Sequence, residues 1–221
     1  MYRDDYILRM IRRLGQTIAY IAGLRKEGQY PLALMATDDA MRNALGVGSD
    51  ALAARSDREI LALIRFADRD GSWRELTAYV AAILHAEAAI YQAQGDAQLV
   101  PPRALLALQL LLEAELADSG DAPLTGLDFT PPRAHLLELL HGYSLPARTR
   151  AALFQLYERE GAFAQAEDTL FELLAEAPGD AALLAAGSAF YARILALDDA
   201  TLTAGGLPRP EAESALAELK S

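Results

Sequence analysis

Hydrophobic residues recur at helical spacing along nearly the whole chain. From Ile7 to Leu24 they fall three or four positions apart, which predicts an amphipathic helix from about Asp4 to Lys26. Alanine and leucine fill most apolar positions while valine is scarce, which favours helices because β-branched side chains lose rotamer freedom there. No run alternates apolar and polar residues as a strand would. The pattern predicts an all-α protein of antiparallel helix hairpins.

Residues that start and stop helices divide this pattern into segments. A second helix is predicted over residues 31–45, since proline suits the first helical turn and glycine suits the position after the last one. Two capping boxes predict further helix starts, one formed by Ser56 with Glu59 and the other by Ser72 with Glu75. The helix after Ser72 is expected to end at Gly95, and the next to run from the proline pair at 101–102 to Leu116, so that the two form a buried hairpin.

Glycine and proline interrupt the helical pattern between residues 119 and 132. We interpret this stretch as a linker. It separates an N-terminal helical subdomain, residues 1–118, from a C-terminal region, residues 133–221. Short helices are predicted over 133–141 and 146–160 within that region.

The C-terminal region fits the pattern of a 34-residue tetratricopeptide repeat, in which small and aromatic residues fill the crossing of two helices. With Gly161 as the turn between the helices, the matching positions are Leu153, Tyr157, Phe163, Ala166, Leu170 and Pro178. Tyr191 lies 34 residues after Tyr157, but Gly187 replaces a large apolar residue and the second helix of that unit is expected to be lost over 198–206. The predicted array is short and irregular at its end.

Three segments resemble one protein family. They are DYILRMIRRL at 5–14, AEDTLFELL at 166–174 and FYARILALDDATLTAGGLPRPE at 190–211. They are similar to a bacterial family of helical, tetratricopeptide-like proteins, domain of unknown function 6483. The resemblance covers nearly the whole chain and implies the helical fold, but it implies no activity.

Charge is distributed unevenly along the chain. The formal net charge is −11, made of +3 in residues 1–30 and −14 in the remainder. Such an acidic body argues against nucleic-acid binding, which depends on clustered lysine and arginine. The basic first helix leaves three options open, namely docking on its own body, on a second subunit as in a homodimer, or on an anionic membrane, and we do not expect the last.

Targeting and redox features point to the cytoplasm. Charges interrupt the apolar stretch of the first helix, so we expect neither a signal peptide nor a membrane span. The chain contains no cysteine, which fits a reducing compartment and removes thiolate metal sites and cysteine nucleophiles.

No set of residues forms a recognisable active site. His135, Glu138 and His141 lie on one predicted helix, but the two histidines are about 120° apart around its axis and converge poorly on one ion. His85, in an alanine-rich helix, is expected to bond to a neighbouring helix. We therefore predict no catalytic, cofactor or metal site.

The leading functional hypothesis is a non-enzymatic protein-interaction or scaffold module. Its candidate peptide groove, formed by positions 2, 9 and 13 of the repeat helices, contains Arg148, Gln155, Arg159 and Arg193. These side chains are suited to an acidic or C-terminal peptide of an unidentified protein partner. A surface pairing of Arg159 and Arg193 with nearby acids is the simpler interpretation of the arginines. The alternative function is a helical enzyme or small-molecule sensor with a pocket between the two helical regions.

Overall fold

The structure, a computed structural model, describes the backbone of residues 2–68, 71–117, 124 and 127–219, and side chains from residue 11 onward. This part of the chain contains twelve α-helices and no strand, which confirms the all-α prediction. The helices group into two compact units, residues 1–144 and 145–221.

The first unit contains seven helices. They are α1 (Tyr2–Lys26), α2 (Tyr30–Leu45), α3 (Ser49–Ala53), α4 (Asp57–Ala67), α5 (Trp73–Gln94), α6 (Val100–Leu116) and α7 (Arg133–Leu139). Helix α5 is central, since it packs against α1, α2, α4 and α6. Its most extensive partner is α6, as the predicted hairpin requires, and the turn between them starts at Gly95 with a left-handed φ of 84°. Most of α5 is therefore inside the unit.

The two predicted capping boxes have different outcomes. At Ser56 the box is complete, because the serine Oγ accepts from the Glu59 backbone N–H and the Glu59 carboxylate accepts from the Ser56 backbone N–H. At Ser72 the prediction of a capping box was wrong, although α5 does begin at the next residue. There the backbone has φ −108° and ψ 26°, far from the extended conformation of a capping residue, and its N–H donates to Asp68 Oδ1 at 2.9 Å.

Helix α1 docks within its own unit. It packs on α2 and α5, and Ile21 and Leu24 are buried in a cluster with Ala33 and Ile90. The apolar stripe that the sequence shows is thus used for intramolecular packing over its C-terminal half.

The second unit contains five helices. They are α8 (Ala147–Glu160), α9 (Phe163–Glu176), α10 (Ala181–Ile194), α11 (Asp199–Ala204) and α12 (Arg209–Leu219). Helices α8 and α9 form the main pair, and α10 packs on α9 and α12. The core contains Phe154, Phe163, Ala166, Leu170, Phe190, Tyr191, Ile194, Leu202, Leu207 and Ala212. A short helix, α11, does form within residues 198–206, because the Asp198 side chain caps it by accepting from the Thr201 backbone N–H.

The unit boundary at 144/145 places both the predicted linker, residues 119–132, and helix α7 in the first unit. The contacts of α7 explain why this helix belongs to the first unit. It packs on α6, and Arg133 donates to Glu115 at 3.0 Å. Residues 119–123, 125 and 126 of the predicted linker lie outside the described residues.

Candidate functional site

A buried carboxylate lies in the middle of the first unit. Glu87, on α5, is 1% exposed, and α2, the start of α3 and α6 supply its surroundings. Ser49 donates its hydroxyl proton to Glu87 Oε1. The other oxygen, Oε2, has no hydrogen-bond partner among the described residues. A buried acidic group is rare unless it is fully paired, so this half-satisfied carboxylate stands out.

Arg103 is the counter-ion of Glu87, but it does not complete the missing hydrogen bond. Its Nε lies 3.6 Å from Glu87 Oε2, which is too long for a hydrogen bond, and that Nε also has no partner among the described residues. The guanidinium is shared with Asp50, 3.5 Å from Nη2, and with the Tyr91 ring, whose centroid is 5.4 Å from Cζ. Arg103 is thus held between three groups.

The electrostatics of Glu87 follow from this environment. Burial raises the pKa of its carboxyl above the ordinary value, while the hydrogen bond from Ser49, the nearby Thr37 hydroxyl and the charge of Arg103 offset part of that rise. Asp38, close by on α2, behaves in the opposite way. The hydrogen bond from Arg42, at 2.7 Å, and one from the Ser49 backbone N–H, at 2.8 Å, hold its pKa below the ordinary value.

Glu87 forms part of the wall of a pocket of about 420 Å³ on the first unit. Helix α2, the start of α3 and α5 supply the lining residues, which are Pro31, Leu34, Met35, Thr37, Asp38, Asp39, Ser49, Asp50, Glu87 and Tyr91. Four of these ten side chains are carboxylates and none is basic. The pocket lies within the first unit, whereas the alternative hypothesis places one between the two helical regions.

This site is not among the sequence predictions, although the sequence contains a signal for it. Glu87 interrupts the run AEAAIY, and Arg103 stands alone in the apolar stretch PPRALLALQLLL. A single charge on the buried face of a helix is costly unless another element pairs with it. The charge is visible in the sequence, but the partners come from α3 and α6 and depend on tertiary packing.

The second polar cluster of the first unit is a histidine pair. His85 Nε2 on α5 lies 2.8 Å from His135 Nδ1 on α7, which confirms that His85 bonds to a neighbouring helix. An apolar cavity of about 140 Å³ lies beside His85, between α1 and α5. His141 is exposed. Among the residues that the structure describes, no group of three or more histidine, aspartate or glutamate side chains is arranged to hold a metal ion.

The four residues of the predicted groove all lie in the second unit and are all exposed. Arg148, Gln155 and Arg159 are on α8, and Arg193 is on α10. Arg193 makes a bidentate pair with Glu158, with Nε and Nη2 at 2.6 and 2.9 Å from the two carboxylate oxygens. The guanidinium group of Arg193 is therefore already paired with an acid of the same protein. This agrees with the simpler interpretation, in which the arginines pair with nearby acids.

The comparisons with known proteins place the chain in a family. The fold defines a two-unit helical protein, and a family model described as a family of unknown function (DUF6483) matches residues 1–221. The chain belongs to that family, which confirms the resemblance stated from its sequence. No curated protein and no solved structure gave a significant match. Within the described part of the chain, every helix is too short or too polar to cross a bilayer.

Proposed function

We propose that this protein is a non-enzymatic interaction module and that its second unit binds a protein partner through a tetratricopeptide-like surface. The observation that carries the proposal is the spacing of α8 and α10. Both helices have 14 residues, and Ala181 begins α10 34 positions after Ala147 begins α8. That offset is the period of the tetratricopeptide repeat.

The packing of α8 and α9 supports the same proposal. Gly161 ends α8 in the left-handed conformation, with φ 75°, and allows the chain to turn back into α9. Ala166, the small residue expected where the two helices cross, has no exposed surface, and the half-buried Tyr157 packs against the core. In the repeat that begins with α10, the short helices α11 and α12 replace the second helix. The proposed array therefore contains one complete helix pair, α8 and α9, and an irregular end.

Equivalent positions of α8 and α10 form the proposed binding surface. Arg148, Gln155 and Arg159 correspond, 34 residues later, to Ala182, Ala189 and Arg193, and all six are exposed. A row of exposed side chains at matching positions is what repeat proteins use for extended partners. We propose an acidic or C-terminal peptide segment as the partner, and its carboxylate would compete with Glu158 for Arg193.

The experiment is a selection of peptides with free C-termini on the full-length protein, followed by affinity measurement for the selected peptide. In the variant Arg159→Glu/Arg193→Glu we expect the affinity to fall by about tenfold or more, which corresponds to about 1.4 kcal/mol. The matched control is Arg55→Glu/Arg58→Glu, which reverses two exposed arginines in the first unit. Far-ultraviolet circular dichroism checks that both variants keep their helices. Failure to select any peptide, or equal binding by wild type and groove variant, would contradict the proposal.

A further inference from the structure

We propose that the pocket beside Glu87 binds an alkylammonium group, supplied either by a small free amine or by a lysine side chain. This site is in the first unit and does not depend on the function proposed for the second. Three features of the pocket support this proposal, namely the charge of its wall, an unsatisfied buried acceptor and the hydrogen-bonding capacity of the lining residues.

The charge around the pocket favours a cation. Three helices contribute carboxylates to the pocket wall. They are α2 with Asp38 and Asp39, α3 with Asp50 and α5 with Glu87. The arginines paired with them are Arg42, with Asp38, and Arg103, with Glu87 and Asp50. Four carboxylates and two guanidiniums give a formal charge of −2 with all groups ionised. An anionic ligand such as a phosphate would be repelled.

The second observation is the unsatisfied oxygen of Glu87, which points to a donor that comes from outside the chain. The residue is almost wholly buried, and its Oε2 has no hydrogen-bond partner among the described residues. Leaving a buried acceptor without a donor costs about 1–3 kcal/mol, and more for a charged group. An ammonium group bound against this carboxylate supplies both the donor and the opposite charge. The 3.6 Å gap to Arg103 supplies the charge alone.

Two of the three hydroxyl groups in the wall, those of Ser49 and Thr37, also favour a ligand that only donates. Ser49 gives its proton to Glu87, and Thr37 gives its proton to the Leu34 carbonyl at 2.8 Å. Their oxygens are left as acceptors beside the carboxylates. An ammonium group has three donors and no acceptor, so it matches such a wall better than an alcohol or an amide does.

The remaining lining residues fit the hydrocarbon part of the ligand. Pro31, Leu34 and Met35 supply an apolar side on α2, and Met35 is 62% exposed. A volume of about 420 Å³ is within the range of small-molecule sites and is large enough for a chain of several methylenes. A bare metal ion would not use these contacts.

The test is isothermal titration of the full-length protein at low ionic strength with three probes. The first is 1,5-diaminopentane, the second is a short peptide with blocked ends and one lysine, and the third is the neutral isostere 1,5-pentanediol. We expect saturable binding of at least one amine and none of the diol. The tighter of the two amines identifies the source of the ammonium group. If neither amine binds, or if the diol binds equally well, the proposal is wrong.

Variants then place the binding in this pocket. Glu87→Gln keeps an acceptor for Ser49 but removes the charge, and we expect at least a tenfold loss of amine affinity. Because Glu87 is buried, the exposed pair Asp39→Asn/Asp50→Asn provides a second test that leaves the core intact, and we expect it to weaken binding severalfold. The matched control is Glu138→Gln, an exposed acid on α7. Amine binding that survives both pocket variants unchanged would overturn the assignment.

Discussion

The contact between His85 and His135 joins two imidazoles edge to face, with their ring centroids 4.8 Å apart and their planes at 84°. One ring must donate the hydrogen between Nε2 and Nδ1 and the other must accept it, so the pair is satisfied when at least one ring is neutral. Burial lowers the pKa of His85 to about 4, with smaller contributions from the charges of His135 and Arg25. At neutral pH, His85 is therefore uncharged.

This pKa predicts a loss of stability in acid. Between about pH 6.5 and 4 the unfolded chain binds a proton at His85 that the folded protein does not, so this contribution is present above pH 6.5 and is lost as the pH falls. The full difference is up to about 3 kcal/mol, from about 1.4 kcal/mol per pKa unit. We expect the stability difference between wild type and His85→Gln to shrink by that order from pH 7 to pH 4 in urea titrations. His141→Gln, at an exposed histidine, should follow wild type, and parallel curves for all three proteins would disprove the assignment.

Single residues show where sequence reasoning succeeds and where it fails. The capping box at Ser56 involves atoms three residues apart, and it formed as predicted. The equivalent pattern at Ser72 did not form a capping box, because the backbone N–H of Ser72 donates to the Asp68 carboxylate. The role of Glu87 depends on Ser49 and Arg103, which lie 38 and 16 positions away in the chain. Local spacing contains no information about such partners.

At the scale of elements, Gly205, which follows the last residue of α11, packs against the start of α9. Its carbonyl accepts from the Ala164 backbone N–H at 3.0 Å. A methyl group added at Gly205 would lie 2.3 Å from Phe163 Cδ2 and 2.5 Å from the Gly161 carbonyl oxygen. The φ of Gly205 is −78°, so the backbone conformation itself does not require glycine. The requirement is close packing between α11 and the turn that joins α8 to α9.

We therefore expect Gly205→Ala to destabilise the protein by about 1–3 kcal/mol, because a buried phenyl ring and a backbone carbonyl must move to make room. The matched control is Gly23→Ala in α1, where no described atom beyond the adjoining residues and the nearby backbone of its own helix lies within 4 Å of the added carbon. That change should stabilise the protein by about 0.5–1 kcal/mol, since alanine is the better helix former. Thermal or urea unfolding measures both, and equal stability of the two variants would contradict the close packing at Gly205.

Most elements were predictable because their signals are local. Proline in the first turn and glycine after the last bound α2, and α5 ends at Gly95 as its sequence indicates. Helices α3 and α11 were not predicted, since they have five and six residues and show too little periodicity. Gly187, which departs from the repeat pattern, has a tertiary explanation. A Cβ there would lie 2.8 Å from Leu219 and 3.0 Å from Leu170, so the small residue allows a close approach of side chains.

At the scale of the whole molecule, each unit has its own apolar interior. In the first, α5 and α6 supply most of the fully buried residues. In the second, the core combines residues from all five helices, among them Phe154 on α8, Phe190 on α10 and Ala212 on α12. Glycines and prolines in the sequence show where the chain turns but not which turn separates two cores. The division therefore required the three-dimensional contacts of α7.

A separate core predicts that residues 145–221 fold without the rest of the chain. We expect this fragment to be helical by circular dichroism and to unfold in one cooperative transition, because Phe190, Tyr191 and Ile194 are almost completely buried and belong to an apolar cluster whose members all lie within the unit. The control fragment, residues 145–198, keeps α8 to α10 but lacks α11 and α12. It loses the buried Leu202, Leu207 and Ala212, and each buried leucine contributes about 1.5–3 kcal/mol. Since small domains are stable by only about 5–15 kcal/mol, the shorter fragment should be far less stable or unfolded. If residues 145–221 are themselves disordered, or if both fragments unfold at the same urea concentration, the second unit is not an independent folding unit with α12 as part of its core.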